Sequence, residues 1–117
     1  YKFYKLLKKC NCDCKISGLF WYPPGGYREW HTNCYNKCDW TLYIIYVEED
    51  NKSWFNYIHP ITKEYISIPD KNKHINIFFL KKDEKNPFWH NVRSDTNRLS
   101  IGLSVTNEFI EKNFEFV

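Results

Sequence analysis

At 117 residues the chain has room for one domain around one core, not two. Hydrophobic residues make up 43% and aromatics 20%, which excludes global disorder and leans towards strands. The net charge is only +3, with lysines scattered among Asp and Glu, so no specific nucleic-acid partner is expected.

In chain order, residues 1–17 read as a basic, cysteine-rich extension: a Tyr1-Lys-Phe-Tyr segment that is strand or short helix, then a polar loop. The cysteines are Cys10, Cys12, Cys14, Cys34 and Cys38, an odd number, so at least one stays unpaired in a monomer, which favours a reducing compartment. Neither their Cys-x-Cys-x-Cys run nor the Cys-x-x-x-Cys pair has the two-residue spacing of a zinc knuckle, and incidental thiols are the better reading.

From Gly18 to Val105 the pattern is all-β. Apolar and aromatic runs at 19–22, 40–47, 53–58, 64–68, 75–80 and 98–105 are separated by Pro, Gly, Asn and Asp. Many short strands without a helical period predict a sandwich or barrel, here a single domain with its barrel core over 18–105. Phe109, Ile110 and Phe114 stand at helical spacing and predict a short closing helix within 107–116. No run reaches the ~18 apolar residues of a membrane span and nothing resembles a signal peptide, so no membrane partner and a cytoplasmic location are expected.

Two features single out candidate residues. Lysines outnumber arginines 14 to 3, in a composition rich in Lys, Asn and Ile that fits an AT-rich genome. Arg28, Arg93 and Arg98 are therefore worth inspecting, because lysine does not replace a planar bidentate donor. In the run from Arg98 to Val105, Leu99, Ile101, Leu103 and Val105 share one face, while Arg98, Ser100, Gly102 and Ser104 share the other. That second face is either a wet surface or the small, polar lining of a ligand cavity.

The segment Tyr22-Pro-Pro-Gly-Gly-Tyr-Arg-Glu-Trp-His-Thr-Asn33, followed at a distance by Trp89-His90 and then Arg98-x-Ser100, resembles a known pattern. It is similar to the prolyl-hydroxylase-like branch of the Fe(II)/2-oxoglutarate-dependent oxygenases, and to small oxygenase-like proteins of phages and large DNA viruses. The resemblance runs from about Gly18 to Val105 and implies a double-stranded β-helix, a jelly-roll or cupin-like barrel with little helix. It implies metal ligation by His31, Asn33 and His90, with Fe(II) and 2-oxoglutarate as cofactors. Arg98 would then meet the distal carboxylate of 2-oxoglutarate, Ser100 would add a hydroxyl, and Tyr22 would line the cosubstrate pocket. The chemistry suits the pattern, because three protein ligands on one face of an iron leave positions open for cosubstrate and O₂.

Position 33 departs from the pattern, since the oxygenases have Asp or Glu where this chain has Asn. An amide oxygen can ligate but supplies no negative charge, unless a neighbouring acid such as Glu29 or Asp95 helps. One reading is a dioxygenase acting on a protein side chain such as proline, or on a small molecule. The other is an inactive barrel serving as a binding or structural virion protein, and a cupin-like small-ligand binder is a third. Geometry separates them: ligands converging on a cavity with Arg98 across it favour the enzyme, and a cavity plugged by side chains such as Trp30 favours the structural protein. Trp21, Trp30, Trp54 and Trp89 read either as a substrate groove or as core, and most are expected in the core. His59 and His74 read as ordinary turn and surface residues, and Arg93 as a surface one.

Overall fold

Strict alternation over short segments builds strands, and the computed structural model, which describes residues 14–32, 40–72, 76–81, 83 and 85–114, contains eight of them among those residues. They are β1 (Cys14–Tyr22), β2 (Gly26–His31), β3 (Trp40–Val47), β4 (Ser53–Ile58), β5 (Tyr65–Pro69), β6 (Asn76–Lys81), β7 (His90–Ser94) and β8 (Arg98–Val105). One sheet has the order β1-β8-β3-β6 and the other β2-β7-β4-β5, with every pairing antiparallel. Each connection crosses from one sheet to the other except the β4–β5 hairpin. That winding is a double-stranded β-helix, so the fold is the all-β jelly roll expected from the sequence.

Differences from expectation are local. β1 starts at Cys14, ahead of Gly18, so the end of the supposed extension is already sheet. β2 and β7 do not stand out as apolar runs, because their residues are largely polar and alternate between an inner and an outer face. Cys10, Cys12, Cys34, Cys38, Asn33 and His74 lie outside the described residues.

The Pro-Pro-Gly-Gly sequence has a plain physical task. Gly26 N–H donates to the Pro23 carbonyl at 2.8 Å, and Gly25 between them has φ +86°. Pro24 at the second position and a glycine with positive φ at the third are what a type II turn requires. The turn carries the chain from β1 to β2, and Gly25 N–H fastens it to the Ser94 carbonyl at the end of β7.

Apolar residues collect in two places. Between the sheets, Tyr22, Phe55 and Val92 pack with Tyr43, Tyr57, Leu80 and Phe88. On the outer side of the first sheet, Leu42, Ile44, Leu103 and Val105 pack under the helix α1 (Asn107–Asn113) through Phe109 and Ile110. The two faces of β8 are thus both covered, at least in part. Its apolar side lies under the helix, with Leu99 left at the exposed end, and its polar side looks into the barrel. Gly102 leaves room there, since a Cβ would come within 3.0 Å of Ser17 Oγ and 3.3 Å of the Tyr43 ring.

The predicted helix is real and ends at Asn113. Thr106 caps it, its hydroxyl accepting from Phe109 N–H at 3.1 Å, with Glu108 in the first turn and Lys112 in the last. Thr106→Ala is expected to lower stability by about 1 kcal/mol, read as a lower urea midpoint. An unchanged midpoint would mean that the helix contributes little to the cooperative unit. Among the described residues no helix is long and apolar enough to cross a membrane.

Candidate functional site

The site begins with an irregularity. β2 pairs with β7 at Arg28↔Val92 and again at His31↔His90, so Glu29 and Trp30 together face Asn91. Without this bulge, alternation from Arg28 would turn His31 outwards; the extra residue returns it to the inner face. His31 and His90 consequently lie with ring centroids 4.1 Å apart.

Both rings are held in the same tautomer. His31 Nδ1 meets the Glu29 carbonyl at 2.6 Å, and His90 Nδ1 meets the Phe88 carbonyl at 3.0 Å. A carbonyl only accepts, so each Nδ1 carries the proton and each Nε2 keeps its lone pair. Among the described residues His31 Nε2 is buried without a hydrogen-bond partner, and His90 Nε2 meets the Tyr43 hydroxyl at 3.5 Å, a marginal contact. Burial lowers the pKa of both, with His90 brought to about 4 by burial and then by its neighbours His31 and Arg28. Two neutral imidazoles with inward lone pairs, each steered by a carbonyl, are the form in which histidine binds metal.

Arg98 lies in the same interior, 1% exposed, with the equally buried Asp70 beside it at 0%. Its Nε donates to Asp70 Oδ2 at 2.9 Å, and Ser53 Oγ donates to the same oxygen at 2.6 Å. Arg98 Nη1 and Nη2 are buried and have no hydrogen-bond partner among the described residues. Only one edge of the guanidinium is used, and the two outer nitrogens form an unfilled fork. The Tyr22 ring, paired with Arg98 across β1 and β8, lies 5.4 Å from the guanidinium carbon. Burial raises the Tyr22 pKa against the opposing pull of Arg98 and Arg28, so the phenol stays protonated.

Tyr22, His31, His90, Arg98 and Ser100 therefore line one cavity. Arg28, one of the three arginines that the lysine-rich composition singled out, lines it too, although the resemblance gave it no role, and Asp70 is a residue that the sequence did not mark. The signal for Asp70 was indirect: a buried arginine needs an anion, but nothing in Ile-Pro-Asp-Lys marks which aspartate supplies it. Neither acid proposed as a helper reaches the histidines. Glu29 lines a groove on the outer face, and Asp95 stands 3.8 Å from Arg93. Among the described residues no three of His, Cys, Asp and Glu converge as a metal set.

The cavity is narrow, with a volume of about 10 Å³, room for one water molecule. Trp30 does not plug it. Phe55, with ring centroids 5.4 Å from His90, and Tyr43 take up the space instead. The tryptophans are not core residues: Trp21, Trp30 and Trp89 are exposed and Trp54 is half-buried on the outer face. Arg93 lies on the surface as expected, and His59 Nδ1 accepts from Ile61 and Thr62 N–H inside its own turn.

No family model and no curated protein sequence matches the chain. Solved structures do. An oxalate oxidase in complex with the substrate analogue glycolate superposes with a TM-score of 0.57 at 8% identity, covering 81% of this chain and 43% of that one. ToxT from Vibrio cholerae strain SCE256, bound to an unsaturated fatty acid, gives 0.51 at 15% identity, covering 92% of this chain and 35% of that one. The chain thus spans less than half of either protein. What it shares with them at such identities is the fold, a cupin-type jelly roll.

Proposed function

We propose that the interior cavity is a metal and carboxylate site, and that the chain is an Fe(II)/2-oxoglutarate-dependent dioxygenase hydroxylating a protein side chain or a small molecule. The observation that supports this most is the set of buried, unpartnered polar atoms facing one space: His31 Nε2 at one side, Arg98 Nη1 and Nη2 at another. Leaving such atoms unpaired costs about 1–3 kcal/mol each, so they fit a ligand better than they fit an empty core.

The residues present suit the proposed group in part. His31 and His90 would hold iron through Nε2, and Asn33 would be the third ligand through its amide oxygen. When bound, Fe(II) supplies activation of O₂ coupled to conversion of 2-oxoglutarate to succinate. The chain's own work is binding and exclusion. Arg98 offers its fork to a carboxylate, Ser100 offers a hydroxyl beside it, and the aromatic wall of Tyr22, Tyr43 and Phe55 keeps water out. Asp70 already offsets the charge of Arg98, so Arg28 is the second cation on which a dianionic cosubstrate depends.

The 10 Å³ volume favours a second reading, an inactive barrel with a binding or structural role, because 2-oxoglutarate enters only if interior side chains move apart. Anaerobic titration with Fe(II) and 2-oxoglutarate, followed by visible absorption, separates the two. The expected result is a metal-to-ligand charge-transfer band in the wild type, with cosubstrate affinity at least tenfold weaker in Arg98→Lys, which keeps the charge but loses the fork. A band that appears only in Asn33→Asp would reject the enzyme reading in favour of a barrel that has given up its metal.

A further inference from the structure

The second sheet carries a larger recess on the face turned away from the cavity, a groove of about 810 Å³. That volume lies within the range of small-molecule sites, roughly 300–1,000 Å³. Register explains its composition. Trp54 pairs with Arg93, Asn56 with Asn91 and with Ser67, and all of these line the groove. Trp30 comes from β2 and Tyr65 from β5, the opposite edges of the sheet, yet their rings meet at 6.1 Å, edge to face. Two aromatic side chains thus reach towards each other across β7 and β4.

The polar floor is built as well. Asn56 is only 7% exposed, and its Nδ2 donates to Asn91 Oδ1 at 2.8 Å, while its own Oδ1 is buried with no partner among the described residues. An unpaired buried amide oxygen in a recess lined by aromatics points to a ligand that donates a hydrogen bond. Charges of both signs meet there: Arg28, Arg93 and Glu29 line the groove, and the Arg93 guanidinium pairs with Asp95 at 3.8 Å and lies 5.8 Å from the Trp54 ring centroid. The mixed signs, with Arg93 partly offset by Asp95, favour a neutral ligand over an ion.

We propose that this groove binds a neutral oligosaccharide. A pyranose ring presents C–H groups on its faces, which match the negative face of an aromatic ring, and hydroxyls on its rim, which match amides. The hydroxyl rim supplies the donor that Asn56 Oδ1 lacks. A peptide fits less well, because the groove lies on the face of a sheet whose central strands already spend their backbone groups on their neighbours, leaving only side chains to recognise it. The inference does not depend on metal or cosubstrate binding in the interior.

The test uses ¹⁵N-labelled protein and its tryptophan indole signals, titrated separately with cellohexaose, chitohexaose and maltohexaose, and with decaproline as the peptide probe. The expected result is a saturable shift of the Trp30 and Trp54 indoles with at least one hexasaccharide, with Trp21 and Trp40 unmoved. Trp30→Ala and Tyr65→Ala each weaken that binding at least tenfold. Both side chains are at the surface, and the same spectra show whether the variants remain folded. Three silent hexasaccharides overturn the proposal, as does decaproline moving the same indoles in their place.

Discussion

Asp70→Ala is expected to lower the stability of the fold by about 3–5 kcal/mol, the usual result of removing one partner from a buried ion pair. The reason lies in what remains. Arg98 is 1% exposed, its Nη1 and Nη2 already lack partners, and Asp70 Oδ2 is the anion that its Nε contacts. Without Asp70 a full positive charge stays in the interior with no hydrogen bond from the guanidinium among the described residues. The double variant Asp70→Leu/Arg98→Met removes both charges together and is expected to lose less than Asp70→Ala alone, since apolar replacements of a buried pair are often close to neutral. Urea denaturation of the single and double variants checks this. A single-variant loss under about 1 kcal/mol would mean that water or another group already solvates Arg98.

The second large effect is acid sensitivity. His90 takes up its proton at about 4 in the folded state, held down mainly by burial, whereas an unfolded histidine takes it up near 6.5. Between those values the unfolded chain binds a proton that the folded chain refuses, so falling pH favours unfolding. That gap corresponds to about 3 kcal/mol, present above pH 6.5, lost progressively towards pH 4 and constant below it. His31 shifts in the same direction from the same main cause and steepens the loss. Denaturant midpoints at pH 7.5, 6, 5 and 4, for the metal-free wild type and for His90→Gln, measure it. The wild type should lose stability faster than the variant; parallel curves would show that His90 is hydrated in solution.

What the sequence made legible was periodic or motif-borne. The alternation in Arg98 to Val105 showed a polar face of small residues beyond an arginine, and that face does line the interior. The jelly roll and the gathering of Tyr22, His31, His90, Arg98 and Ser100 were expected from the resemblance that their motifs carry, since strand spacing alone does not bring distant strands together. What stayed hidden depends on partners far apart in the chain. Asp70 reaches Arg98 from the end of β5, across the barrel. The tryptophans failed for a related reason: in Ser53-Trp54-Phe55-Asn56 one aromatic must face inwards and the other outwards, and both fit a core by composition. The ladder with β7 decides the matter, placing Phe55 opposite Val92 and Trp54 opposite Arg93. The bulge at Glu29 and Trp30 was equally invisible, although it alone sets the face of His31.

The pairing of β1 with β8 has a consequence for synthesis. Cys14 lies opposite Val105 and Tyr22 opposite Arg98, so the first described strand finds its neighbour in the last. β8 also stands between β1 and β3, which leaves the first sheet without its middle until residues 98–105 have been made. A nascent chain carrying everything up to β7 still lacks the strand that joins β1 to the rest of its sheet. Its Leu19, Phe20 and Trp21 then stand on an unpaired edge. Translation must therefore run almost to the end of the described barrel before folding can close it, and until then the apolar strands of the first sheet are the least covered.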